Sequence, residues 1–476
     1  MKRARTVAPA TGLVFGLLVA SCAQVGGGGV SQDSSGAQPE ISAIEPTVGP
    51  STGGDTITIR GSNFTKDSLV RFGDVLGGSI KVVSDTQITT TLPASASVGK
   101  VAVTVTSLDG RTASRGDLFA YYYGTIDFSS QSTLTTGGGP KSLALTDLDG
   151  DGKVDIATSN SSDASISLFR GVGDGTFGTP DRIALPGNTD IVTAGDVDAD
   201  NKPDLLLAGT ASSRVYTMRN TGLAGAGLFT LASTTTVGSG PVALAFGELN
   251  GDGKPDAIVA NRNASTLNIL INKGSGMWEG SSTVTTPALP AGLAIADLNK
   301  DGKDDVAVTS YSDNTVQIFL TGGGGIPAMS GQALTVGGNP RGANLIDLNK
   351  DGILDLIAVS EGNGGVSVLL GQAGVSFAQA QSYPTGTFPS MAVTADINGD
   401  ERTDLIVLNG GSSGSVVVLP GQGNGAFVSG NSSQRIPLPF AAGSVAAADV
   451  NKDGKLDLVV TAISVSQAIV LLNKSH

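Results

Sequence analysis

The chain has 476 residues, 68 of them glycine and only 4% aromatic, and its 42 acidic against 29 basic side chains leave a net charge of −13 at neutral pH. With no basic stripe to neutralise phosphates, that balance argues against a nucleic-acid partner. Cys22 is the only cysteine and His476 the only histidine, which excludes internal disulfides, Ser-His-Asp triads, Cys-His pairs and histidine-rich metal sites.

In chain order, Lys2, Arg3 and Arg5 precede an apolar run from about Gly12 to Ala20, and Val19-Ala20-Ser21 leads into Cys22. A basic start, a short hydrophobic segment and small residues before a cut make residues 1–21 an expected export signal, too short for a permanent membrane span. The segment resembles a bacterial lipoprotein signal. That resemblance implies that Cys22 is the acylated first residue of the mature protein, anchored to a membrane leaflet at the cell envelope or surface. The rival reading is a soluble secreted protein cut nearby. Residues 22–39, with Gly26 to Gly29 consecutive, cannot bury a core and are expected to form a flexible tether.

Residues 40–123 carry short β runs separated by turn residues. Thr56-Ile57-Thr58-Ile59, Ser68 to Phe72 and Val101 to Val105 alternate apolar with polar, punctuated by Pro50, Gly53, Gly54, Gly73 and Pro93. A β-sandwich suits a segment of this size and pattern. Ile44-Glu45-Pro46 through Gly53-Gly54, followed by Arg60-Gly61-Ser62-Asn63-Phe64 and Val70-Arg71-Phe72-Gly73, resembles the IPT/TIG immunoglobulin-like family. The resemblance implies a spacer or a binding module. Tyr121-Tyr122-Tyr123 is expected to be a terminal strand packed on the next domain rather than a stacking platform.

Residues 124–476 are organised by a recurring stretch, Asp147-Leu148-Asp149-Gly150-Asp151-Gly152-Lys153-Val154-Asp155. Six more copies begin at Asp196, Glu248, Asp297, Asp347, Asp396 and Asp449, so successive starts lie 49 to 53 residues apart. Such a period marks a solenoid or propeller. The third position is Asp149, Asp198, Asn250, Asn299, Asn349, Asn398 or Asn451, and the fifth Asp151, Asp200, Asp252, Asp301, Asp351, Asp400 or Asp453. The ninth is always aspartate: Asp155, Asp204, Asp256, Asp305, Asp355, Asp404 and Asp457. Oxygen ligands two residues apart on a curled loop suit calcium, which takes roughly six to eight of them in irregular geometry. The backbone carbonyl of the seventh residue, namely Lys153, Lys202, Lys254, Lys303, Ile353, Arg402 or Lys455, is a further candidate ligand. Up to seven Ca²⁺ ions are expected.

Two other readings compete. Asp, Asn and Gly are turn formers in their own right, but ordinary turns have no reason to restore four oxygen ligands in one register. An EF-hand needs glutamate at position twelve and flanking helices, whereas that position holds residues such as Thr158, Leu207 and Val259. Within the set, Glu248 brings a longer first carboxylate, and Asn201 and Glu401 replace the glycine at position six. Glutamate accepts left-handed geometry less comfortably than asparagine, which makes Asp396 to Asp404 the expected weakest site.

After every loop comes a short unbroken apolar run, such as Leu205-Leu206-Leu207 or Leu458-Val459-Val460, as expected of strands covered on both faces. A third, alternating run follows, then a glycine-rich turn ending in an aromatic, as in Gly173 to Phe177, and then a more polar strand. Four strands per repeat without helical periodicity make a propeller blade. The repeats resemble the FG-GAP/VCBS family, the calcium-loop repeats of integrin α-subunit propellers. This implies that each loop joins the first two strands of a blade and that the metals are structural. The fold class expected is therefore all-β, a seven-bladed propeller preceded by an immunoglobulin-like sandwich. The last copy spells only three strands, and Ile126 to Thr135 lacks a blade of its own. Pairing the two would close the ring and remove open edges.

Ligand positions hold 23 of the 42 acidic residues, and seven divalent ions would bring the mature chain from −16 to −2. The acidity is thus mostly that of the metal sites. Gly173 to Gly178 matches G-x-G-x-x-G but lies between strands, so it reads as a hairpin turn. Trp278 aligns with Phe177, Phe229 and Phe427, which favours blade packing over sugar stacking. The first functional reading is a lipid-anchored surface binding or adhesion protein whose ligand is an extracellular protein or glycan, the propeller being monomeric. Alternatives are a polysaccharide lyase working through Tyr, Lys or Arg, and a structural component of an envelope assembly.

Overall fold

The computed structural model describes residues 37–95, 98–223, 225–274, 276–429 and 434–475. The expected export signal, Cys22, most of the tether and His476 lie outside the described residues. Among the described residues, no helix is long and apolar enough to cross a membrane.

The N-terminal domain is a sandwich. One sheet orders Glu40–Glu45, Thr56–Ser62, Gln87–Thr91 and Gly78–Ser84, and the other Thr112–Arg115, Val103–Thr106, Leu69–Phe72 and Val75–Leu76. Strict alternation sends Ile57 and Ile59 from one sheet, and Val70, Phe72, Val103 and Val105 from the other, into a common buried core. The last strand, Ala120–Tyr122, pairs parallel with Val48–Pro50. Tyr121 closes the core edge-to-face on Phe119 at 5.4 Å and hands its hydroxyl to the Pro93 carbonyl at 2.9 Å.

The remainder is seven four-stranded antiparallel sheets. Six of them are continuous in sequence, with first strands Pro140–Thr146, Ile191–Gly195, Pro241–Gly247, Pro290–Ala296, Pro340–Ile346 and Pro389–Ala395. The seventh is composite: Ala442–Ala448, Asp457–Ala462 and Gln467–Leu472 receive Ser130–Thr135, in a register running from Ser130 opposite Leu472 to Thr135 opposite Gln467. Ile126 and Phe128, ahead of that strand, pack into the core between blades six and seven. First strands of successive blades touch all the way round, including Ala442–Ala448 against Pro140–Thr146, so the ring is closed.

Packing explains the unbroken apolar runs. The second strand of every blade is buried at all six positions. Ile156 packs with Val459 and Val470 of blade seven, while its neighbour Ala157 packs with Leu205 and Leu207 of blade two. Each sheet is covered on both faces by other sheets, so alternation cannot survive in its interior strands. Trp278 joins this packing, its indole nitrogen donating to Thr217 Oγ1 at 2.9 Å. Gly173 to Gly178 lies in the hairpin between Ser165–Phe169 and Asp181–Ala184, with Gly171 bridged to Phe177.

Candidate metal centre

Each acidic loop joins the first and second strands of its blade, so all seven lie at one end of the ring. The loop is wound around its first residue. In the first copy Gly150 and Asp151 donate backbone N–H groups to Asp147 Oδ1 at 2.7 and 3.1 Å, and Gly152 donates to Oδ2 at 2.7 Å. Asp151 N reaches Asp149 Oδ1 at 3.3 Å, and Lys153 N reaches Asp151 Oδ1 at 2.9 Å. The fourth copy repeats this ladder with Asp297, Asn299 and Asp301 as acceptors. Glu248, one methylene longer, still takes Gly251 N at 2.7 Å.

The winding requires two left-handed residues. Position six has φ between 61° and 84° in every loop, including Asn201 at 64° and Glu401 at 61°. Position four is left-handed too, at Gly150, Ala199, Gly251, Lys300, Lys350, Gly399 and Lys452, a constraint the sequence pattern does not announce. A side chain there costs about 1–2 kcal/mol, and two of the lysines make contacts of their own. Lys300 Nζ donates to the Gly352 carbonyl of the next loop at 2.7 Å, and Lys350 Nζ to the Glu401 carbonyl at 2.6 Å.

Position nine has a second role that spacing alone does not reveal. Asp204 Oδ2 accepts Val197 N at 3.0 Å and its Oδ1 accepts Asn220 N at 2.7 Å. All seven ninth-position aspartates do likewise, fastening loop, second strand and the end of the third strand together. Burial pushes their carboxyls up, Asp204 to about 6 and Asp404 to about 7. In three blades an asparagine at this junction also crosses to the preceding loop. Asn220, Asn272 and Asn473 donate to the carbonyls of Leu148, Val197 and Ile397 at 2.7, 2.9 and 3.0 Å.

The donor set fits a divalent cation. Asp147, Asp149 and Asp151 each bring an oxygen within 4.8 Å of the others, as do Asp196, Asp198 and Asp204. In the other five copies asparagine replaces the third-position carboxylate. The Asp198 side chain is only 2% exposed, and its Oδ1 has no hydrogen-bond partner. A buried anionic oxygen left unpaired is costly, and a coordinated ion would relieve that cost. Basic groups meanwhile hold some of the acids: Lys153 on Asp151 at 2.7 Å, Lys202 on Asp200 at 2.8 Å, Arg170 on Asp149 at 3.1 Å and Arg219 on Asp198. For the seventh-position residues the structure thus adds a backbone N–H onto position five to the carbonyl expected of them.

The sixth loop is unlike the rest. Asn398 and Asp400 are 3% and 4% exposed because the sandwich lies over them. Tyr123 N donates to the Asn398 carbonyl at 2.7 Å, Lys100 pairs with Glu401 at 2.9 Å, and a Cβ on Gly399 would stand 3.3 Å from Val98. Lys455 of the seventh loop sits 4.6 Å over the Tyr123 ring. Glu401, the substitution that looked unfavourable, therefore has an interdomain partner.

The FG-GAP-like repeat model matches six overlapping windows, residues 147–207, 196–259, 248–308, 297–358, 347–407 and 396–460. Each window runs from one loop past the next, and together they cover about two-thirds of the chain. This chain belongs to the FG-GAP-like repeat family. Ahead of the FG-GAP-like repeats, residues 39–121 match the IPT/TIG domain. Among curated proteins, Protein MGA2 of Saccharomyces cerevisiae is 40% identical over 68 residues, which is 14% of this chain and 6% of that protein's length. Among solved structures, BBS1N in complex with ARL6DN is similar at TM-score 0.50 and 13% identity, covering 75% of this chain and 98% of that one. A putative 6-phosphogluconolactonase from Bacteroides uniformis is similar at TM-score 0.50 and 14% identity, covering 70% and 94%. Likeness at such identities concerns the fold alone.

Proposed function

We propose that this FG-GAP-like repeat protein is an exported, lipid-anchored, calcium-stabilised binding or adhesion module of the cell surface. In this reading Cys22 carries the anchor, the sandwich is the spacer and the propeller presents the ligand surface. The side chains at positions one, three, five and nine of each loop, with the seventh-position carbonyl, would hold the ions. A bound cation supplies the positive charge that clustered carboxylates lack; the protein's own part is to curl each loop so that they face one another. The ligand is an extracellular protein or glycan, and the propeller acts as a monomer.

The observation that carries the reading is a division of labour between the two ends of the ring. All seven acidic loops follow the first strands, at one end. At the other end, residues from the first strands of all seven blades, among them Lys141, Ile191, Val242, Arg341, Ser390 and Ser444, line the mouth of the central channel. The acidic loops are gathered at one face, and the opposite face opens on the channel mouth.

The test uses the mature chain with Cys22→Ser. Metal analysis after dialysis against calcium should approach seven ions per chain, and arrays of glycans and of envelope proteins should reveal a ligand retained without turnover. Release of shortened products from a polysaccharide would replace this reading with the lyase.

A further inference from the structure

Sevenfold repetition makes one sector of the open face conspicuous. The residue that follows the second strand is Ser161, Thr210, Arg262, Tyr311, Glu361, Gly410 or Ile463, one per blade around the channel mouth. Small or apolar residues fill four of these places, and the chemistry is concentrated in three consecutive blades. The Arg262 guanidinium, from blade three, lies 4.5 Å from the centre of the Tyr311 ring of blade four. Arg341, from blade five, lies 5.4 Å from the same ring. Glu361 takes Arg341 Nε at 2.5 Å and the Tyr311 hydroxyl at 3.1 Å. Both arginines line the mouth. The Arg341 hydrogen bond, with the Arg262 charge nearby, holds the Glu361 carboxyl below its ordinary value, so two guanidiniums share one carboxylate on a chain whose net charge is −13.

A second observation concerns the same blades and the next. Just before the first strand, a left-handed residue accepts the backbone N–H of that same ring position: Gly139, Gly240 and Asn339 in blades one, three and five. In blades four and six the place is taken by Leu289 at φ 54° and Phe388 at φ 55°, residues that enter this region at a steric cost. Their side chains are not buried in exchange; Leu289 is 38% and Phe388 57% exposed. Each stands two residues ahead of a residue lining the mouth, Ala291 and Ser390 respectively.

We propose that blades three to six form a site for an acidic peptide segment, whose carboxylate is received by Arg262 and Arg341 while Leu289 and Phe388 hold apolar side chains beside it. The Tyr311 ring and Glu361 orient the two guanidiniums, which present paired donors to a carboxylate. In ring order Leu289 comes between the two arginines and Phe388 after Arg341, and these exposed apolar groups favour a peptide over an acidic glycan, whose surface is mostly polar. The proposal rests on reading the propeller as a binding module and assigns that module's ligand chemistry.

The test pans the calcium-loaded mature chain carrying Cys22→Ser against capped heptapeptides with a fixed central glutamate and randomised flanks, and against the same library built on glutamine. Glutamate sequences with apolar neighbours should be enriched, and their affinity should fall at least ~10-fold in R262Q and in R341Q. F388G separates binding from folding. Glycine relieves the left-handed backbone, so its melting temperature should hold or rise while peptide affinity falls. Equal enrichment from the glutamine library, or affinities indifferent to R262Q and R341Q, overturns the proposal. So does a preference for oligogalacturonate, run as a competing probe, which would assign a glycan. If these variants leave capture of an array ligand intact, the site fails and the binding-module reading stands. If the chain retains no array ligand at all, that reading fails as well.

Discussion

Loops four and six carry the same ligand set, Asp-Asn-Asp-Asp at positions one, three, five and nine, in different surroundings. In loop four Asn299 and Asp301 are exposed, whereas in loop six Asn398 and Asp400 lie beneath the sandwich. Burial pushes both ninth-position carboxyls up, and Asp404 reaches about 7. Identical candidate ligands thus form one cluster screened by water and one whose charges have lost it. The screened acids tolerate an absent cation, while the buried ones need it more, because water no longer offsets their repulsion. In the calcium-stabilised reading, ion binding and domain docking at loop six are therefore linked, each favouring the other by the same factor.

The largest expected effect removes every ion at once. EGTA should lower the melting temperature steeply in calorimetry, since each site filled at about 100 times its Kd contributes roughly 2.7 kcal/mol. An unchanged melting temperature would contradict structural calcium. Next, Asp301→Ala and Asp400→Ala should each lose one ion by metal counting. Only Asp400→Ala should also quicken proteolysis at Gly124-Thr125, between the domains; equal cleavage of both variants would erase the distinction between the loops.

A pH titration without metal comes third. Asp204 and Asp404 hold their protons to about pH 6 and 7 when folded, against an ordinary 3.8. The native state therefore binds more protons than the unfolded one across that interval, and stability should fall as pH rises from about 4 to about 7. With calcium the trend should reverse, because only ionised carboxylates ligate; parallel melting curves with and without metal would refute this. The smallest effect belongs to Glu401→Gly, which relieves about 1 kcal/mol of left-handed strain and removes an exposed ion pair with Lys100 worth about 0–1 kcal/mol. Its melting temperature should barely move, yet interdomain cleavage should increase.

Much of this was legible in the chain. The ligand register returned every 49 to 53 residues, and runs such as Leu205-Leu206-Leu207 announced strands covered on both faces. The unpaired segment before the first loop, set against a final copy short of one strand, foretold the composite blade. Local pattern carried these features because each depends on neighbouring residues. What it could not carry were contacts between distant positions. Lysine gives no sign of left-handed backbone, so the sequence does not announce the geometry of Lys300 and Lys350 at position four. Glu401 read as a defect because Lys100 lies some 300 residues earlier. Arg262, Tyr311 and Arg341 become neighbours only once the ring has closed.

The composite blade has a consequence for biogenesis. Because Ser130–Thr135 pairs with Gln467–Leu472, a ribosome must synthesise the chain past Leu472 before the circle can shut. Until then blade one presents a raw flank, and the last strand to be made is the one that covers it.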